Sequence, residues 1–133
     1  MLAAETTGHK DTEKTPASRT LEDSRRTLAA QFENGESHHA FSEAYTEIMD
    51  QYFRQSHQNS ETGRLLFKKR RSFALLAVGG YGRKELDFHS DIDILILFGP
   101  KIPPLAKELV EEFLYPLWDL GLDLGYGVHF TWT

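Results

Sequence analysis

Ala77-Val78-Gly79-Gly80-Tyr81-Gly82-Arg83-Lys84-Glu85-Leu86-Asp87-Phe88-His89-Ser90-Asp91-Ile92-Asp93-Ile94-Leu95-Ile96-Leu97-Phe98 is the stretch of this chain whose reading decides the fold. An apolar strand, begun at Phe73, runs into a glycine-rich turn. A short polar link then leads to a second apolar strand that opens with two carboxylates one position apart. Side chains alternate across a strand, so Asp91 and Asp93 emerge on one face, about 7 Å apart along the backbone, while Ile92 points into a core. From Ile94 to Phe98 every residue is apolar, which predicts a strand buried on both faces of a helix-covered sheet. Asp-x-Asp is short, and the same pattern also occurs as a turn cap followed by a solvated strand end.

Two acids at the mouth of a buried strand are costly without a partner. A hard divalent cation suits them, because Mg²⁺ takes carboxylate oxygens together with water and substrate phosphate. Two such ions roughly 3.5–4 Å apart can activate an attacking oxygen and steady a leaving pyrophosphate. Gly79, Gly80 and Gly82 let the chain turn sharply and bring backbone N–H groups close to a ligand, although glycines after a strand also serve as a plain turn. A short helix over Tyr81–Leu86 would aim its N-terminal amides at phosphate, with Arg83 as a forked contact. Spacing excludes two other phosphate motifs. No Gly-x₄-Gly-Lys-Ser/Thr string exists, and Glu85 stands where a dinucleotide fingerprint needs its third glycine. Asp87, Asp91 and Asp93 do not have the spacing of a calcium loop.

Outward from this core, Met1 to Arg19 is polar and aperiodic and reads as a disordered tail. Residues 20–71 read as an N-terminal helical segment, and residues 72–133 as a partial core built on the two strands. Thr20 is the expected cap of a first helix, with Asp23 in the reciprocal position and an end at Gly35. Ser37 caps a second helix, whose Phe41, Ala44, Tyr45, Ile48, Met49, Tyr52 and Phe53 form one apolar face suited to core packing. A third helix spans Thr62 to Arg70. After the rigid loop Gly99–Pro104, a last helix carries Leu105, Leu109, Phe113, Leu117 and Leu120 as its buried stripe, with a bend at Pro116. The final residues, Val128–Thr133, read as a strand that stops without a turn or tail, as in an N-terminal fragment of a longer protein.

Composition bounds the function classes. With 133 residues the chain holds one domain, and zero cysteines exclude a disulfide scaffold or zinc–thiolate site. A formal charge of −5 argues against general nucleic-acid binding. No run approaches roughly 18 apolar residues and no secretory signal opens the chain, so a cytoplasmic protein without a membrane partner is expected. Lys68-Lys69-Arg70-Arg71 is the exception to the acidic balance. It is either a solvated helix end or a guide for a nucleotide or an acidic partner. His89 lies beside the acids as a polar turn residue or a nucleotide contact.

Gly79-Gly80-Tyr81-Gly82-Arg83, Glu85-Leu86 and Ser90-Asp91-Ile92-Asp93-Ile94-Leu95 closely resemble the signature of the nucleotidyltransferase domain of bacterial PII uridylyltransferases, within the DNA polymerase β superfamily. Leu114-Tyr115-Pro116-Leu117-Trp118-Asp119-Leu120-Gly121-Leu122 is similar to the helix that follows in that family. Arg25, Leu28, Phe32 and Gly35 match its helical lead-in, so the likeness covers roughly residues 20 to 128. It implies an α/β (α+β) polymerase β-like core with a small mixed sheet behind an N-terminal helical segment. It further implies a metal-dependent enzyme moving UMP from UTP, or another nucleoside triphosphate, to a tyrosine of the PII nitrogen-signalling protein. Asp91 and Asp93 would then be the catalytic, metal-holding residues for Mg²⁺ or Mn²⁺, and Gly79, Gly80, Arg83 and Ser90 would contact the nucleotide. The chain departs from the pattern at Lys84, where glycine or arginine is usual, and at Asp87-Phe88. Gly125-Tyr126-Gly127-Val128-His129-Phe130 replaces the family's Gly-His-Ser-Val-Arg-Thr. The third carboxylate of such sites lies beyond Thr133 or is absent, and its absence would leave a nucleotide- or partner-binding fragment of the same fold.

Overall fold

The computed structural model describes residues 14–33 and 37–131. Eight elements follow in order: α1 (Pro16–Gln31), α2 (His38–Gln58), α3 (Glu61–Lys68), β1 (Phe73–Val78), α4 (Gly79–Gly82), β2 (Ile92–Phe98), α5 (Ala106–Asp119) and β3 (Leu124–Phe130). Among the described residues the sheet has three strands in the order β1-β2-β3. β1 and β2 pair antiparallel, with Val78 opposite Asp93, and β2 and β3 pair parallel through the α5 crossover, with Asp93 opposite Gly125. This is the small mixed sheet with helices that the sequence implies.

Local chemistry fixes the helix ends. α1 starts five residues before the expected Thr20 cap, because Thr15 offers its hydroxyl to the Ser18 N–H at 3.0 Å and Pro16 fits the first turn. Residues 14–19 of the expected tail are therefore ordered; residues 1–13 and the expected stop at Gly35 lie outside the described residues. Ser37 caps α2 as expected. Ser60 caps α3 through the Gly63 N–H at 2.8 Å, and Glu112 of α5 accepts from the Ser60 hydroxyl and the Glu61 N–H, which ties α3 to α5. α3 ends at Lys68 rather than Arg70, where Arg70 takes φ +59°. α5 continues through Pro116 to Asp119 and stops at Gly121, whose φ of +87° suits a glycine after a helix.

One apolar cluster unites the helical segment and the sheet. Tyr45, Met49 and Tyr52 of α2, Leu109, Phe113 and Leu117 of α5, and Ile92, Ile94, Ile96 and Phe98 of β2 are buried in it. Two buried hydroxyls find partners across elements: the Tyr52 hydroxyl donates to the Phe113 carbonyl at 2.6 Å, and the Ser42 hydroxyl to the Leu86 carbonyl at 2.7 Å. The expectation that β2 is buried on both faces is corrected. Ile92, Ile94, Ile96 and Phe98 are buried, whereas Asp93, Leu95 and Leu97 are only half-buried. Helices cover one face of the sheet, and on the other face Leu95 pairs with Leu76, which is 40% exposed.

Candidate active site

The site lies where β1 ends and β2 and β3 begin. Val78 leads straight into Gly79, whose φ of +58° only glycine adopts at little cost. The turn of α4 then brings Tyr81 inward, and its hydroxyl donates to Asp50 Oδ1 at 2.7 Å. Burial first, and the bond to Asp50 second, push the Tyr81 hydroxyl well above its ordinary pKa, so it stays a neutral donor. Gly82 is set by contact as well, since a Cβ there would stand 2.7 Å from the Ala77 carbonyl oxygen. The expected helix over Tyr81–Leu86 is instead a four-residue turn over Gly79–Gly82, too short for a helix dipole. Lys84 follows at φ +60°, a backbone conformation that glycine adopts at less cost than lysine.

Buried Leu86 anchors the link, and Asp87 and Ser90 then brace each other. The Asp87 N–H donates to Ser90 Oγ at 3.0 Å and the His89 N–H to Asp87 Oδ1 at 2.8 Å. The His89 amide holds the Asp87 carboxyl below its ordinary pKa. A side-chain hydrogen bond from Ser90 adds to that lowering, so Ser90 shapes the entry to β2 together with Asp87.

Asp91 is exposed at the mouth of β2, and Asp93 is half-buried two residues on, along the same face of the strand. The Asp93 carboxylate sits between two glycine backbones. A Cβ on Gly79 would lie 2.5 Å from Oδ2, and a Cβ on Gly125 would lie 2.5 Å from Oδ1. Among the described residues neither aspartate side chain takes part in an ion pair or a side-chain hydrogen bond. Gly80 differs from its neighbours, because nothing lies within 4 Å of where its Cβ would be and its φ is not positive. The fold therefore does not require glycine at position 80, and the space beside it is open. Arg83 is exposed and paired with Glu85 Oε1 at 2.8 Å rather than turned to the acids.

Gly79, Gly80, Ser90, Asp91 and Asp93 are thus brought to one end of the sheet. No group of three or more His, Cys, Asp or Glu side chains placed to hold a metal occurs among the described residues. The chemistry nevertheless fits a hard cation: two carboxylates without cationic partners, beside exposed backbone, leave room for water and phosphate oxygens to complete its shell. Sequence reasoning missed Gly125 as a wall of the site. Its signal was the unusual Gly125-Tyr126-Gly127, whose meaning depends on the β2–β3 register. It also missed Asp50, which holds the glycine turn from a helix some thirty residues earlier.

Comparison with known proteins gives this arrangement a family. A bifunctional uridylyltransferase/uridylyl-removing enzyme of Ectopseudomonas mendocina is 38% identical over 104 residues, 78% of this chain and 11% of the relative. Proteins of the same description from Pseudomonas putida and Vibrio campbellii are 54% identical over 55 residues and 50% over 62, covering 41% and 47% of this chain. The chain spans only 6–11% of the length of these relatives. No solved structure matches it. No helix among the described residues is long and apolar enough to cross a membrane. Residues 22–127 match the family described as "Putative nucleotidyltransferase DUF294", and with that match over most of its length the chain belongs to the DUF294 nucleotidyltransferase family.

Proposed function

We propose that this chain forms the metal- and triphosphate-binding part of a cytoplasmic uridylyltransferase that moves UMP from UTP to a tyrosine hydroxyl of a PII-type signalling protein. The observation that carries the reading is the Asp93 carboxylate, unpaired among the described residues and set between the glycines at 79 and 125 beside Asp91. Asp91 and Asp93 would hold Mg²⁺ or Mn²⁺, which when bound supplies charge stabilisation for an attacking oxygen and a leaving pyrophosphate. Gly80 leaves the backbone open to a triphosphate, and the Ser90 hydroxyl would turn from Asp87 to donate to a phosphate oxygen. Arg83 can serve the same anion only by leaving Glu85. The uridylyltransferase names of the relatives support the choice of UTP and PII, each over a matched segment that is a small part of the relative.

One observation favours a second reading, a domain that binds nucleotide without transferring it. β3, Leu124–Phe130, carries no carboxylate that could join Asp91 and Asp93. Incubation with labelled UTP, Mg²⁺ and PII protein separates the two. Labelled PII supports transfer, whereas metal-dependent UTP binding without label on PII supports the binding domain.

A further inference from the structure

β1 is an edge strand, because among the described residues its one neighbour in the sheet is β2. The ladder shows which of its backbone groups are free. The Gly99 N–H donates to the Ser72 carbonyl at 3.4 Å, while the Thr131 N–H donates to the Phe98 carbonyl at 2.8 Å from the β3 side. Antiparallel pairing alternates, so Ser72, Ala74, Leu76 and Val78 bond towards β2, and Phe73, Leu75 and Ala77 point away from it. Gly82 closes off the Ala77 carbonyl. The N–H and C=O of Phe73 and of Leu75 are left facing outward, with no bond from another described element. An open row of this kind is a template for another strand.

One cleft lies along that edge, and two more that share lining residues in turn continue from its Phe73 end towards the end of α3. The first, of about 310 Å³, lies between Phe53, Arg54 and His57 of α2 and Phe73–Leu75. The second, of about 350 Å³, shares His57 and Phe73 and adds Arg64, Phe67 and Arg71. The third, of about 620 Å³, shares Phe67 and Arg71 and adds Lys68 and Arg70. No Asp or Glu lines any of the three, although the whole chain has a formal charge of −5. Phe67 stands among these cations 83% exposed.

We propose that the β1 edge takes up an extended acidic polypeptide segment as a fourth strand. Phe73 and Leu75 would supply the main-chain hydrogen bonds, Arg64, Lys68 and Arg70 would meet carboxylates, and Phe67 would pack on an apolar side chain. A second copy of this chain is disfavoured, because pairing two β1 edges would set like-charged clefts against each other. A nucleic acid would match the cations but not the alternating donors and acceptors of the edge. Strand addition at β1 is independent of the chemistry at Asp91 and Asp93.

Selection of a random-peptide display library against the intact chain tests this. Enrichment of segments that alternate acidic and apolar residues is the expected result. Binding of a selected peptide would slow amide exchange at Phe73 and Leu75. The double substitution R64Q/K68Q, which removes two exposed charges without reversing them, would weaken binding about tenfold or more with little change in the melting temperature. No enrichment, enrichment without acidic residues, or unchanged exchange at Phe73 and Leu75 would overturn the proposal. So would displacement of the peptide by oligothymidylate at lower concentration than by free acidic peptide, which would make the edge a nucleic-acid site.

Discussion

Asp93 and Gly125 face each other across the parallel β2–β3 ladder, with Asp93 Oδ1 only 2.5 Å from where a Gly125 Cβ would stand. On the other side, Gly79 approaches Oδ2 just as closely. The site is therefore built by leaving side chains out around one carboxylate, and the three glycines at 79, 80 and 125 differ in what they are needed for.

Gly79→Ala destabilises the chain by about 1–2 kcal/mol from the left-handed backbone alone, and by more as Asp93 is displaced. Gly80→Ala leaves stability unchanged or raises it by up to about 1 kcal/mol, because its φ is ordinary and its Cβ direction is empty. Nucleotide affinity falls in both variants. Urea unfolding alongside UTP titration in the presence of Mn²⁺ checks the contrast, and equal loss of stability at both positions would make Gly80 a mere turn residue.

Lys84→Gly stabilises the chain by about 0.5–1 kcal/mol. Relief of the φ of +60° is worth about 1–2 kcal/mol, and the extra freedom glycine gives the unfolded chain offsets roughly half of it. The shift of the urea midpoint at unchanged slope is the readout.

How far the sequence revealed the molecule follows from what each signal depends on. Asp91, Asp93 and the glycine turn were legible because strand alternation and glycine conformations are local properties. Ser37 as a cap was legible for the same reason. The Thr15 start of α1 was missed because Thr20 with Asp23 offered an equally good local cap, and only the burial of Ala17, Ser18 and Leu21 chooses between them. The half-exposed face of β2 was hidden because Leu95 and Leu97 are apolar whether or not a layer covers them. Gly125 and Asp50 were illegible because their roles come from strand register and from a helix packed against the turn.

Alkaline pH tests the buried hydroxyls. Tyr45, Tyr52 and Tyr81 all have pKa values raised above 10.0, with burial as the largest cause. A raised folded-state value means the unfolded chain loses those protons first. Their contribution is therefore fully present below pH 10 and is lost as pH rises above it, at about 1.4 kcal/mol per pH unit for each tyrosine in that window. Tyr81→Phe makes this fall shallower and costs about 1 kcal/mol at neutral pH through the lost bond to Asp50. Unfolding free energy measured from pH 7 to 11 gives both numbers, and an unaltered alkaline slope would place the Tyr81 hydroxyl in solvent.

The central claim is that Asp91 and Asp93 hold the divalent cation through which the triphosphate binds. Calorimetric titration of UTP into the chain and into Asp93→Asn, each with Mn²⁺ and with EDTA, tests it most directly, with melting temperatures measured free of metal. Asn keeps the shape of the side chain but gives the cation no charge to hold. The account predicts UTP binding only with Mn²⁺ in the unaltered chain, loss of that binding in Asp93→Asn, and an unchanged melting temperature, because the Asp93 side chain makes no ion pair or hydrogen bond among the described residues. Equal UTP affinity in EDTA, or metal-dependent binding that survives in Asp93→Asn, would contradict it.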